Sequence, residues 1–254
     1  MNELTDNTNP VNNPEQAVKE FVGEQFIEWL MNYITDEIGK WPVIHELNSL
    51  HTKLEKIKKF MLQRFLAQQA VVGRLDGDPG FLRFAIANLS ESDDPTAESA
   101  LEILEQKRQE ELIMPTEQLW YRLLQSLGAS IEEIQRVEAK EPTRNYTAEL
   151  SEIYSSSDWQ TAVGAFAAHE RAMMVESQAI LAMLQHNSKL THQDLEIIST
   201  HADSKGGYTA NANHVLDKIV FDHETKLLVW DGVNRQLTAR QEFLNGLAKY
   251  LAVV

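Results

Sequence analysis

Apolar residues recur at helical spacing along nearly the whole chain, and nowhere do they keep the period of two that a half-buried β-strand needs. Residues 15–38 set Val18, Phe21, Val22, Phe26, Trp29, Leu30 and Tyr33 on one wide stripe. Gly39 and Pro42 end that helix. A second is expected over 45–73, burying Leu50, Leu54, Ile57, Met61, Phe65 and Val72, with the polar Gln69 on the same face. LDGDPG at 75–80 is a turn signal, a short helix is expected over 81–89, and SESDDP at 90–95 ends it. The charged run EILEQKRQEEL lies within a helix at 96–112. Pro115 opens the next, with Leu119, Trp120, Leu123, Leu124 and Leu127 inside. Gly128 suits a C′ position, and Ser130 with Glu133 reads as a capping box for a helix at 131–138. A long helix from Asp158 to 187 follows, and Thr191 with Asp194 opens one that runs to about 202. After the double glycine at 206–207 come helices over 208–231 and 238–251. The expected fold class is all-α: one irregular helical bundle of nine or ten helices, packed ridges into grooves.

The Asn-rich residues 1–14 read as a disordered tail, leaving 15–254 as the domain. That start has no basic region followed by an apolar one, and no apolar run approaches the roughly 18 residues that span a bilayer, so no membrane role and a cytoplasmic location are expected. The chain has no cysteine, which removes disulfides, thiolate metal sites and cysteine nucleophiles. A net charge of −15 spread over most helices argues against nucleic acid as a partner. The single basic cluster, KLEKIKK at 53–59, alternates charge with apolar residues and reads as a solvated face.

Chemistry is most legible on the helix at 158–187. Val163, Phe166, Ala167, Met174 and Leu181 define its apolar stripe, and Glu170 lies on that stripe. A buried carboxylate costs several kcal/mol unless it is paired, protonated or bound to a metal. Glu170 is therefore either half of an ion pair with a Lys or Arg of a facing helix, or a metal ligand or acid–base group. His169 points about 100° away from it and is expected to be half exposed. His201 ends an apolar helix beyond Ile197 and Ile198, either as a partner of the helix dipole or as a site residue. In HADSKGGY at 201–208, Asp203 and Lys205 can be plain solvated loop residues. His214 with Asp217, and Asp222 with His223, lack a third ligand at matched spacing and read as surface residues.

The order of these signals resembles the haem-oxygenase-like superfamily, which includes TenA-type thiaminases, PqqC-type cofactorless oxidases and CADD-like non-haem iron oxidases. FMLQRFLAQQAVVGRL at 60–75 and PGFLRFAIANL at 79–89 look like its second and third helices. TEQLWYRLLQSLGAS at 116–130 is similar to a helix ending in a Leu-Gly turn, and VGAFAAHERAMMVESQAIL at 163–181 to the helix with a central Glu. HADSKGGYTANANHVLDKI at 201–219 looks like the segment in which the iron enzymes carry His-x3-Asp-x2-His. The overall character is closest to the CADD-like members.

The resemblance implies Glu170 and His201 as metal ligands, with Glu110 or Glu111 as a third. Lys205 stands where the Asp would be, Tyr208 where the second His would be, and Thr116 where the partner His of the first Glu would be. Three such ligands suit one mononuclear iron better than a di-iron centre, and a lysine among them would repel the metal. Without iron, the resemblance to the cofactorless members implies Tyr208, His201 and Lys205 as proton donors and acceptors. Phe65, Trp120, Tyr121, Phe166 and Met174 would wall a pocket for a small-molecule ligand. The expected function is an oxidase or oxygenase of a small organic molecule, and the alternative is a non-catalytic binding or interaction module. A homodimer is expected by the same resemblance. TenA-type hydrolysis uses a cysteine that this chain lacks.

Overall fold

The computed structural model describes residues 14–73, 80–113, 116–156, 158–203, 215–217, 219 and 222–252, with positions 49, 110–113 and 252 described through the backbone alone. Twelve helices carry the described residues, with a further helical turn at 215–217 and no strand among them. They are α1 (Pro14–Glu20), α2 (Gly23–Gly39), α3 (Pro42–Ser49), α4 (Leu54–Val72), α5 (Leu82–Ser90) and α6 (Ala97–Ile113). Then come α7 (Thr116–Ser126), α8 (Ile131–Arg136), α9 (Glu141–Tyr154), α10 (Trp159–Asn187), α11 (Glu196–Ala202) and α12 (His223–Ala252). The fold is the expected all-α bundle. No described helix is long and apolar enough to cross a membrane.

The element boundaries differ from expectation where a local interaction overrides periodicity. The helix expected over 15–38 is two, because Gly23 takes φ +48° and turns the chain, leaving Val22 in solvent. The Phe21 carbonyl freed by that break accepts from Lys226 Nζ of α12 at 2.8 Å. The helix expected over 45–73 is also two. Asn187 at the end of α10 occupies the gap: its Oδ1 accepts from the Thr52 N–H at 2.8 Å, and its Nδ2 donates to the Leu50 carbonyl at 2.6 Å. One amide thus serves both orphaned backbone groups of an interrupted helix. The N-cap half of the expected box is present, with Ser130 Oγ accepting from the Glu133 N–H at 3.0 Å, while the Glu133 carboxylate accepts from Lys58 Nζ and α8 stops at Arg136. Helix α11 starts only at Glu196, after Thr191 and Asp194 have closed a turn on each other. Helix α9 is absent from the sequence reading. Its buried face, Thr143, Tyr146, Leu150, Ile153 and Tyr154, includes polar atoms that dilute the apolar signal.

The largest difference lies at the C-terminal end, where the helices expected over 208–231 and 238–251 give way to one continuous helix, α12, from His223. Gly232, which looks like a breaker in sequence, is a contact point. A Cβ there would come within 2.8 Å of the Thr161 carbonyl carbon, and one on Gly164 within 2.9 Å of that of Val229. The missing side chains let α10 and α12 cross with backbones in contact. Helix α10 also packs on α2, α3, α5, α9 and α11, so every position from Thr161 to Glu170 is buried. This central helix carries most of the site.

Candidate functional site

Because α10 has neighbours on all sides, its polar residues must be satisfied by other helices. Glu176 is fully buried and takes two guanidiniums. Arg240 of α12 makes a two-pronged contact, Nε to Oε1 and Nη2 to Oε2 at 3.0 Å, while Arg64 of α4 donates from Nη1 to Oε2 at 2.5 Å. Both guanidiniums also lie against Met173 Sδ, one turn earlier. Burial alone would raise the Glu176 pKa, but Arg240 and Arg64 overcome it and hold the carboxyl below its usual range. Burial likewise opposes the charge on Arg240, yet Glu176 and Tyr146 keep its pKa raised. For Arg64 burial prevails, with Arg240 adding to it, and its pKa is lowered. A guanidinium nevertheless remains charged in proteins.

Arg240 also reaches His169, from Nη1 to Nδ1 at 3.0 Å. A guanidinium can only donate, so Nδ1 accepts and the neutral imidazole carries its proton on Nε2. His169 is therefore not half exposed as its angular position suggests. It is 2% exposed, because α10 has no solvent face at that level. Burial, then Arg240 and Lys107, push its pKa well below the usual value. Arg240 Nη1 and Gln236 Nε2 both donate to the Tyr146 hydroxyl, at 3.2 and 2.9 Å.

Glu170 faces α6, where the buried Lys107 places its Nζ 3.6 Å from Oε2. Tyr154 of α9 is close enough for the Glu170 charge to help raise its phenol pKa, behind burial and Tyr146. His201 of α11 is buried, and its pKa falls to about 3, through burial first and then Lys107 and Arg64. Lys107 thus acts on Glu170, on His201 and on His169 at once. Glu170 faces this ammonium group directly and His201 lies within reach of its charge, and the sequence reading does not single Lys107 out.

The expected pocket walls are core residues. Phe65, Trp120, Phe166 and Met174 are buried and Tyr121 is partly buried. Phe65 packs against Trp120 and Tyr121 at ring-centroid distances of 5.8 Å, edge-on to the latter. Lys205, Tyr208 and His214 lie outside the described residues, as do the side chains of Glu110 and Glu111. Asp203, Asp217, Asp222 and His223 are exposed, and Asp222 caps α12 by accepting from the Thr225 N–H at 2.8 Å. A cavity of about 10 Å³ opens among Arg64, Gln68, Trp120, Tyr146, His169 and Arg240. On the outer side of Tyr146 and Phe243 runs a groove of about 940 Å³ between α9 and α12.

Among the described residues, which leave out the side chains of Glu110 and Glu111, the donors fit a resident iron poorly. Among the described residues no three of His, Asp and Glu come together as a metal-holding group. The carboxylate best placed to bind a cation, Glu170, already faces one in Lys107. Two neutral imidazoles, a carboxylate and an ammonium group make an acid–base set more readily than a ligand set.

The model of the TENA/THI-4/PQQC family matches residues 31–220. Among solved structures, a CADD-like protein of unknown function from Nostoc punctiforme superposes with a TM-score of 0.69 at 13% identity, over 88% of this chain and 94% of that one. A TenA homologue from Pseudomonas syringae gives 0.68 at 11% identity, over 89% and 92%. A domain of unknown function with a haem-oxygenase-like fold from Shewanella denitrificans gives 0.66 at 17% identity, over 88% and 90%. At these identities the likeness is one of fold. No curated protein matches by sequence. With three quarters of its length inside the family model, and with the fold of TenA and CADD-like proteins, the chain belongs to the TENA/THI-4/PQQC family.

Proposed function

We propose that the protein is an oxidase of a small organic molecule that works without a resident metal, its site centred on Glu170, Lys107 and His201. The observation that carries this reading is the Lys107 ammonium set 3.6 Å from Glu170, with His201 neutral beside it. A neutral buried imidazole is a proton acceptor, and an ammonium in the same low-dielectric space stabilises the anion left when substrate loses a proton. His201 takes that proton, and Lys107 holds the substrate anion and the reduced oxygen species that follows. Two electrons and two protons pass from substrate to O₂, giving oxidised substrate and H₂O₂. Lys205 and Tyr208 complete the proton relay in this reading.

The test begins with protein expressed with added iron and with any molecule carried through purification. The expected result is well under one iron per chain, with O₂ uptake and H₂O₂ release in equal amounts on that molecule, both lost in Lys107→Met. Near-stoichiometric iron that disappears in Glu170→Ala would overturn the metal-free reading. A second reading, a ligand-binding or interaction module that has kept the fold, draws support from Lys205 and Tyr208 standing at ligand positions of the iron members and from Lys107 facing Glu170. Tight binding of the carried molecule without oxygen uptake would favour it.

A further inference from the structure

The Arg64–Glu176–Arg240 group has an excess of one positive charge in the middle of the bundle, since two guanidiniums share a single carboxylate. All three side chains are at least 96% buried, and the protein as a whole carries −15. An uncompensated buried charge is costly and calls for a counterion. The residues around the adjoining cavity supply donors for one. Arg64 Nε, Trp120 Nε1 and His169 Nε2 are buried and have no hydrogen-bond partner. His169 carries its proton on Nε2, because its Nδ1 is held by Arg240. Tyr146 receives Gln236 and Arg240 on its oxygen, so its own hydroxyl proton points elsewhere. All four residues line the same cavity of about 10 Å³, close to the volume that one water-sized particle requires. Among the described residues lining it, the one orphaned acceptor is Gln68 Oε1. Three unpartnered donors, one acceptor and an excess positive charge are a poor environment for a water, which must also donate, and a good one for an ion that only accepts.

We propose that this cavity, between α4, α7, α9, α10 and α12, is a binding site for a small monoanion, held by Arg64, His169 and Trp120 beside the charge of Arg240. The anion is a monatomic halide, since the space is that of one particle and the lining offers converging N–H donors. The groove between α9 and α12 lies on the outer side of Tyr146 and Phe243, whose rings, stacked at 4.7 Å, stand between it and the cavity. The proposal stands apart from the oxidase reading, since neither Glu170 nor Lys107 takes part in it.

The full-length protein, dialysed into gluconate, is titrated with bromide, chloride or formate at constant ionic strength while thermal unfolding is followed. A saturable rise in Tm with the halides is the expected result, and a rise with formate alone would overturn the halide assignment. Crystals grown in bromide are expected to show an anomalous peak in the cavity if the halide reading holds. Trp120→Phe removes one donor, keeps an aromatic ring, and is expected to weaken the apparent affinity about tenfold, the effect of one hydrogen bond to a charged acceptor. Should that variant fail to fold, His169→Gln tests the same shell and the wild-type titration still decides. No saturable rise over gluconate with any of the three anions would overturn the proposal, as would anion responses unchanged in a folded donor variant.

Discussion

His169 and His201 make the fold acid-sensitive through their neutrality. Their folded pKa values lie well below the ordinary 6.5, at about 3 for His201, whereas the unfolded chain takes up protons near 6.5. The unfolded state therefore binds more protons between those limits, and stability falls as pH drops through that window. It is fully present above it. The slope is about 1.4 kcal/mol per pH unit for each histidine. Denaturant titrations from pH 7.5 to 4 are expected to show it, and His201→Gln to remove about half. Glu176 acts in the same direction but further down, because its depressed pKa releases the paired guanidiniums only when it protonates below the usual carboxylate range. Glu176→Ala leaves two buried guanidiniums facing each other and is expected to cost about 3–5 kcal/mol, readable in the denaturation midpoint. Glu170 was legible in the sequence because a carboxylate interrupts an apolar stripe. The same criterion reaches Lys107, which completes the stripe of Ala100, Ile103 and Leu104, and Arg240, which follows Val233 and Gln236. Those two hide among charged neighbours, and a charge on a helix that is polar elsewhere looks solvated until the facing helix is known. The orientation of His169 could not be read at all, since it depends on α10 being covered on every side.

At the scale of elements, the crossing of α10 and α12 is the most demanding contact, and it depends on two missing side chains. Gly164→Ala or Gly232→Ala would press a methyl group into the opposing backbone, where no rotamer change gives relief. Each is expected to destabilise by about 3 kcal/mol, the upper end for an overpacked core. Gly39→Ala, with nothing within 4 Å of its Cβ, is expected to be neutral or to gain up to about 1 kcal/mol from helix propensity. Thermal melts of the three variants separate a steric cause from a general effect of adding a methyl group. Periodicity located α5, α7 and α10 to within a residue or two, because each is amphipathic or apolar on its own terms. It placed a break near Gly232 and missed those at Gly23 and 50–53. A glycine that opens a turn and one that admits a neighbouring helix are identical in sequence. The break at 50–53 is closed by Asn187, more than 130 residues away, and so had no local signal.

For the molecule as a whole, one hydrophobic cluster draws residues from α1 to α12, and α10 and α12 touch most of the other helices. The helices packed on α10 and α12 are thereby coupled into one body. Unfolding by denaturant is expected to be a single transition, with far-ultraviolet circular dichroism and tryptophan fluorescence coinciding, and two separated midpoints would contradict it. The all-α class was readable from spacing alone, whereas the charge pattern of the interior was not, since it arises from Arg64, Lys107, Glu170, Glu176 and Arg240 on four different helices. The crossing of α10 and α12 has a further consequence during synthesis. From Asn187 to Ala252 the ribosome must add another 65 residues, about 3–13 s of elongation, before the partner of α10 is complete. Through that interval the most extensively buried of the described helices is already made while the surface that covers it is not. The nascent chain is then at its stickiest late in translation, and slow codons or a shortage of chaperones between α11 and α12 would reduce yield more than the same delay placed before α10.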